Sequence, residues 1–276
     1  MKKNLFSIVT LVMIFVAADT ALAAYYVNFD VIQHRKYENG NEFNRAAFSV
    51  RESDGGPYVM SDVININTIT LYDPDGTEIL PTKVIFDPSW RALYGNFSST
   101  TGQWNFNAAF SSPEPAYYIN FDEPLIQGTY HLYVEENDGT PHDVYKEFNA
   151  LANLPTISSS TFRGYEDSAG DFILTWDLPV DLDFWTSGLS TSYRVIITVS
   201  MDGTYSGDLW VTQPTLLGII IVPNNVMQTL KAEGNTLKAQ IQMRTNDNNN
   251  RTYSNAVNLD AIKTLRRQKV VVIPLN

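Results

Sequence analysis

The sequence predicts an all-β protein: two tandem antiparallel β-sandwich domains behind a cleaved export signal. Three observations carry that expectation. Apolar residues recur with period two through most of the chain, as on strands with one buried face, and sustained helical periodicity is nearly absent. Glycine, proline, asparagine and aspartate punctuate those runs at short intervals. The 276 residues contain no cysteine, so in an exported protein the cores must hold without disulfides, and a hydrophobic content of 44% is ample for two of them.

The N-terminus is set aside first. Lys2 and Lys3 precede the apolar run "LFSIVTLVMIFVAA", which ends at "ALA", Ala21–Ala23. A charged start, a short apolar stretch and a small-x-small site read as a bacterial-style Sec signal peptide over residues 1–23. The run falls short of the ~20 residues that a membrane span needs. Cleavage would remove two lysines and Asp19, taking the formal charge from −11 to −12. A pI near 4.7 argues against nucleic acid and anionic membrane surfaces as partners. The address is then periplasmic, extracellular or cell-surface.

Residues 24–153 are expected to form the first sandwich. "YYVNFDVIQ" alternates Tyr25, Val27, Phe29 and Val31 on one face, and "AAFSVRE" follows. "INTITLYDPDGTEILPTKVIF" reads as strand, turn and strand, with Pro74–Gly76 as the bend. "GQWNFNAAF" and "AYYINF" are further strands, and "GTYHLYVEENDGTPHDVYKEF" is a hairpin turning at Asn137–Gly139. A small, polar seam, "NALANLPTISSS", then precedes Pro155, and the strand pattern restarts.

The second half gives seven strands over residues 154–259: "TISSSTFR", "DFILTWDL", "YRVIITVS", "DLWVTQ", "LLGIIIV", "TLKAQIQMR" and "YSNAVNL". The opening Pro155, "LTW" at Leu174–Trp176, Tyr193 at the head of the third strand and the run from Leu230 onward resemble a fibronectin type III domain. The pattern departs at Leu237, where that family usually carries a tyrosine. The resemblance covers the second half only; the first half suits an immunoglobulin-like sandwich in a generic sense. Residues 260–276 form an extension. Asp260, Ile262 and Leu265 suit a short helix, and Val270–Ile273 reads as an extra strand that must pair at a sheet edge, at the seam or with another subunit.

Chemistry is sparse. The three histidines are His34, His131 and His142, read respectively in a charged loop, on the outer face of a strand and in a turn. No His-Glu-x-x-His, Gly-x-Ser-x-Gly or phosphate-cradling glycine loop is present. Asp73–Glu78 alternates acids, but its glycine comes too early for a helix-loop-helix calcium site, and a β-turn is expected. The resemblance implies that the loops after the second and sixth strands share a pole. That would gather Asp181, Asp183, Asp247 and Asn249, with Trp185 beside them, as a candidate calcium site. The loop "RTNDNNNRTYSN" at Arg244–Asn255 supplies candidate ligand contacts in Asn248, Asn249 and Arg251, alongside Trp185. The same topology sets this loop against the first domain, which makes it equally a junction loop. Trp90, Tyr94, Trp104, Tyr117 and Tyr118 are either core or, if exposed, a platform for sugar rings.

Together these readings favour a non-catalytic binding or assembly protein of the cell envelope or exterior, with a protein partner or its own copies as ligand and Val270–Ile273 as a candidate pairing strand. A carbohydrate-binding module built on the first-domain aromatics is the alternative. A glycoside or ester hydrolase is the third reading, because a carboxylate pair has no spacing rule.

Overall fold

The computed structural model describes residues 25–52, 66–179, 191–214 and 217–263. The first half runs through β1 (Tyr25–Tyr37), β2 (Glu42–Glu52), β3 (Ile66–Tyr72), β4 (Glu78–Ile79) and β5 (Lys83–Asp87). It continues with β6 (Ala92–Ser98), β7 (Gln103–Phe106), β8 (Ala116–Phe121), β9 (Gly128–Glu136) and β10 (Pro141–Phe148). The second half supplies β11 (Arg163–Glu166), β12 (Phe172–Thr175), β13 (Thr191–Met201), β14 (Thr204–Pro214) and β15 (Ile219–Val222). Helix α1 (Asn224–Glu233), β16 (Thr236–Thr245), β17 (Asn250–Tyr253), β18 (Val257–Asn258) and α2 (Leu259–Lys263) complete it.

Alternation along the strands builds two cores. In the first half, Val27, Phe29 and Ile32 of β1, Phe48 of β2 and Ile119 and Phe121 of β8 meet Leu71 of β3 and Leu132 and Val134 of β9. The sheet β10-β9-β3-β4 thus lies over β5-β8-β2-β1. In the second half, β11-β12-β15 covers β17-β16-β13-β14, burying Phe172, Leu174, Val195, Ile197 and Ile241. This three-plus-four division is the one that the fibronectin type III resemblance implies. Each such side chain contributes roughly 1.5–3 kcal/mol on burial, which is how both layers hold without cysteine.

One helix departs from the strand-only reading. In α1, Val226, Met227 and Leu230 face the second core, Pro223 precedes the first turn and Gly234 follows the last. Asp171 Oδ1 accepts from Asn224 N at 2.8 Å, capping the helix from outside. At ten residues it is too short to show as sustained periodicity in a strand-rich sequence.

The two sandwiches share a sheet. β1 pairs with β17 in parallel, with Arg35 opposite Arg251 and Tyr37 opposite Tyr253. β14 pairs in parallel with β6, and Leu93 of β6 joins the second core although it lies in the first half of the sequence. The strand order is therefore continuous from β5 through β8, β2, β1, β17, β16, β13 and β14 to β6 and β7. These two parallel joints depart from the purely antiparallel expectation. Parallel pairing arises because each joint connects strands far apart in sequence, with no hairpin to impose opposite directions.

The connection from β5 to β6 fixes the shape of that sheet. Laid flat, those two strands would sit eight positions apart, or about 38 Å at ~4.8 Å per strand. Only residues 88–91 connect them, and five Cα steps span at most about 18 Å. The sheet must curl until its ends approach, which makes the face away from the two cores concave. The connection is held on both sides: Glu114 N, just before β8, donates to Trp90 O at 2.7 Å, and Arg91 Nε donates to Ser206 O of β14 at 2.7 Å.

Candidate functional site

The concave face is polar where the other is apolar. On β16, Leu237, Ala239, Ile241 and Met243 point to the core, so Gln240, Gln242 and Arg244 point the other way. On β13 the same alternation turns Arg194, Ile196 and Thr198 outward. β1 contributes Gln33 and Arg35, β2 Arg45, β8 Tyr118, β14 Trp210, and β17 Arg251 and Tyr253. They enclose a groove of about 350 Å³ that draws side chains from both halves of the chain, with Trp90 of the β5–β6 connection along its wall.

Charge in this groove is positive on balance, three arginines against the carboxylates of Asp87 and Asp208. Arg35, Arg45 and Arg251 line it, and Arg194 and Arg244 extend the same face. Among the described residues, none of these five guanidiniums lies within ion-pair distance of a carboxylate. They rest on aromatic and amide groups instead. Arg194 lies 4.1 Å from the Trp210 ring centre, Arg45 4.6 Å from that of Tyr118 and Arg35 4.6 Å from that of Tyr253. Burial and mutual repulsion hold Arg45, Arg194 and Arg244 below the usual guanidinium range. Asp208, at the far wall, is pushed the other way by burial, towards its neutral form.

Tyr253 is the internal counterweight. Arg35 donates to its oxygen from Nε at 2.9 Å and from Nη2, and Gln242 donates from Nε2 at 2.8 Å. Burial alone would raise the phenol; the charges of Arg35 and Arg251 overcome it and bring the pKa down to about 8. The ring stacks on Tyr37 at 4.6 Å. At neutral pH most of the positive charge still has no formal partner. A buried, uncompensated cation costs free energy, and a fold that keeps several in an open groove is arranged to receive an anion.

The seam lies beside the groove. Asn250, 1% exposed, accepts from Ala152 N at 3.0 Å and donates to Ala150 O at 3.3 Å. Thr252 Oγ1 donates to Pro155 O at 2.8 Å, and Asn149 Nδ2 to Asp247 Oδ2 at 3.0 Å. The Asn249 amide, oriented to satisfy both ends, donates to Ile32 O at 3.2 Å and accepts from Asn149 N at 3.0 Å. Asn248 takes the left-handed conformation, φ 63°, and accepts from Arg244 Nη1 at 2.7 Å. The asparagine-rich stretch thus bolts the halves together, and its neighbour Arg251 faces the groove.

Asp181, Asp183 and Trp185 lie outside the described residues, as do residues 1–23, expected as a leader, and 270–273, expected as a strand. Of the calcium candidates only Asp247 and Asn249 can be placed. Asp247 accepts from Thr245 Oγ1, Asn249 N and Asn149 Nδ2, so its oxygens serve the turn and the seam. Among the described residues no three metal-ligating side chains cluster. Asp73 likewise caps its own turn, accepting from Asp75 N and Thr77 N at 2.9 and 2.8 Å.

The five first-half aromatics divide. Tyr117 is buried against Phe48 and Phe86, and Trp104 packs on the second core. Trp90 and Tyr118 line the groove, and Tyr94 meets Trp210 edge-on at 6.1 Å. The histidines sit on strands. His34 is in β1, 3.1 Å from Glu42; His142 is in β10, 2.6 Å from Glu136. His131 stacks between Tyr72 and Tyr145, centroids 5.2 and 4.7 Å away, and Tyr145 at the end of the stack is 62% exposed.

Three comparisons bear on the chain. No family model matches it, and none of the curated proteins does. Among solved structures it is similar to Tp47, the 47-kilodalton lipoprotein of Treponema pallidum, at 13% identity and TM-score 0.32, covering 83% of this chain and 50% of that one. It is similar to the chicken CNTN1 FN1-FN3 domains at 11% identity and TM-score 0.28, over 84% of this chain and 63% of that. The Yersinia pseudotuberculosis adhesin InvE matches at 9% identity and TM-score 0.15, over 83% and 58%. The chain therefore spans between half and two thirds of each of these three structures. Among the described residues no helix is long and apolar enough to cross a membrane.

Proposed function

We propose that this is an exported, non-catalytic binding protein that holds an anionic ligand in the concave face of its shared sheet. The observation that carries the reading is the set of half-buried arginines, Arg35, Arg45 and Arg251 foremost, lining a groove with no carboxylate in ion-pair distance among the described residues. A chain of net charge −11 that concentrates cations there has a local purpose for them. Export rests on the signal-like residues 1–23, and the non-catalytic reading on a sequence without His-Glu-x-x-His, Gly-x-Ser-x-Gly or phosphate-cradling glycine patterns. Trp90 and Trp210 stand in the wall, so binding should alter tryptophan fluorescence. Titration with inorganic phosphate, citrate and digalacturonate is expected to give a saturable change with at least one, lost in Arg45→Met combined with Arg251→Met. No saturable change with any of the three would sink the proposal.

Self-assembly is the second reading, favoured by β5, which ends the large sheet with Val84 47% and Phe86 37% exposed. The β-branched Val270–Ile273 of another copy is its candidate partner strand. Removal of Lys269–Asn276 should then reduce the mass seen in light scattering. An unchanged mass removes this reading.

A further inference from the structure

Resting on the groove as an anion site, we infer that its ligand is a carboxylated saccharide of one or two rings, and not a bare inorganic or phosphoryl anion. The inference comes from hydrogen-bond bookkeeping. The guanidiniums of Arg35, Arg45 and Arg251 present donors, which any anion satisfies. The same groove also presents acceptors that the charged oxygens of an anion cannot satisfy and that need a donor group on the ligand. Gln33 is 3% exposed and Gln242 1%, both line the groove, and the side-chain oxygen of each has no hydrogen-bond partner among the described residues. A buried amide oxygen left without a donor costs free energy, so its retention beside an open cavity points to a donor arriving from outside.

Phosphate, sulfate and citrate at neutral pH bring charge with little or nothing to donate. A sugar acid brings a carboxylate for the arginine forks and several hydroxyls that donate as well as accept. The aromatic wall fits the same ligand. Trp90 lies 5.1 Å from Trp210 at 60°, both rings line the groove with Arg194 over one face of Trp210, and the C–H face of a pyranose packs on aromatic surface of this kind. The volume of about 350 Å³ falls at the low end of small-ligand sites, which run from about 300 to 1,000 Å³, and sets the limit of one or two rings.

The test is calorimetric titration of the whole protein with digalacturonate, with its methyl-esterified neutral counterpart and with inorganic phosphate. Digalacturonate is expected to bind at least tenfold more tightly than either of the others. Gln242→Met and Gln33→Met should each weaken digalacturonate about tenfold while leaving any residual phosphate binding unchanged. Gln242 also holds Tyr253, so circular dichroism accompanies that variant, and Gln33→Met carries the test if it fails to fold. Phosphate or citrate binding as tightly as digalacturonate, or indifference to both substitutions, overturns the saccharide inference and leaves the anion site standing. No binding of any anion overturns both.

Discussion

The two faces of the shared sheet are made by the same strands and obey opposite rules. Along β16, Leu237, Ala239, Ile241 and Met243 enter a core drawn almost wholly from the second half, with Leu93 of β6 as its buried contribution from the first. The residues between them, Gln240 and Gln242, enter a groove that exists only because β1 and β17 join the halves and residues 88–91 draw the sheet into a curl. The apolar face is local and the polar face is assembled. A sandwich with a solvated outer face would carry scattered lysines and glutamates there; this one carries arginines, glutamines and tryptophans, side chains suited to planar, directional recognition.

The contrast predicts that substitutions on the two faces separate stability from binding. The largest stability effect belongs to the core face. Ile241→Ala should cost about 2–5 kcal/mol, read as a lower denaturant midpoint at unchanged slope, with ligand affinity of the folded protein retained. Next comes the seam. Asn250→Ala leaves Ala152 N and Ala150 O without their side-chain partner and should cost about 1–3 kcal/mol. If the halves instead unfold independently, the seam variant will show two transitions by fluorescence and circular dichroism where the wild type shows one. The groove face should behave in reverse. Arg45→Met removes a cation that no carboxylate balances, so stability should stay within about 1 kcal/mol or rise, while anion affinity falls at least tenfold. A loss of several kcal/mol from that variant would show Arg45 to be structural and erase the distinction between the faces.

The core face was legible in the sequence because alternation is a property of one strand. "TLKAQIQMR" announces its own buried set, and the turns at Asp73–Gly76 and Asn137–Gly139 announce themselves through Asp, Asn and Gly. The groove was not legible. Gln33, Arg45, Tyr118, Trp210 and Gln242 are scattered over more than two hundred positions, and each alone reads as an ordinary outward-facing strand residue. The signal that was present is the parallel one: arginine, rather than lysine, at the outward positions of β1, β2, β13 and β17. Likewise "NDNNNR" read equally as a binding loop or a junction loop, because the partners that distinguish these, Ala150, Ala152 and Ile32, come from elsewhere in the chain. Trp104 and Trp90 could not be told apart by type; the curl of the sheet puts one on a core and the other on the groove wall.

The smallest predicted effect is the most diagnostic, because Tyr253 stands on the groove face yet couples to folding. Its pKa of about 8 in the fold lies below the ordinary tyrosine value near 10 because Arg35 and Arg251 favour the phenolate, with Arg45 and Tyr118 on the same face and Tyr37 stacked on its ring. A depressed pKa contributes stability that is complete above the unfolded value and is lost as pH falls through the folded one. This residue's share should therefore grow between pH 8 and 10, by no more than about 1.4 kcal/mol per pH unit. Tyr117 and Tyr118, which burial pushes up to about 12, work against it at the alkaline end, so the wild-type profile alone does not isolate Tyr253. The comparison is with Tyr253→Phe, whose stability relative to wild type should worsen progressively from pH 8 to 10. Binding should run in the opposite direction. The phenolate neutralises part of the charge that the ligand requires, so wild-type affinity for an anion should fall over the same interval, and the Tyr253→Phe profile should fall less steeply, its remaining slope belonging to Arg45, Arg194 and Arg244, which burial and mutual repulsion bring down to about 9 to 10. The difference between the two proteins comes from one proton on one oxygen. If stability and affinity instead moved together with pH, the arginines would not be sharing their charge between Tyr253 and the ligand.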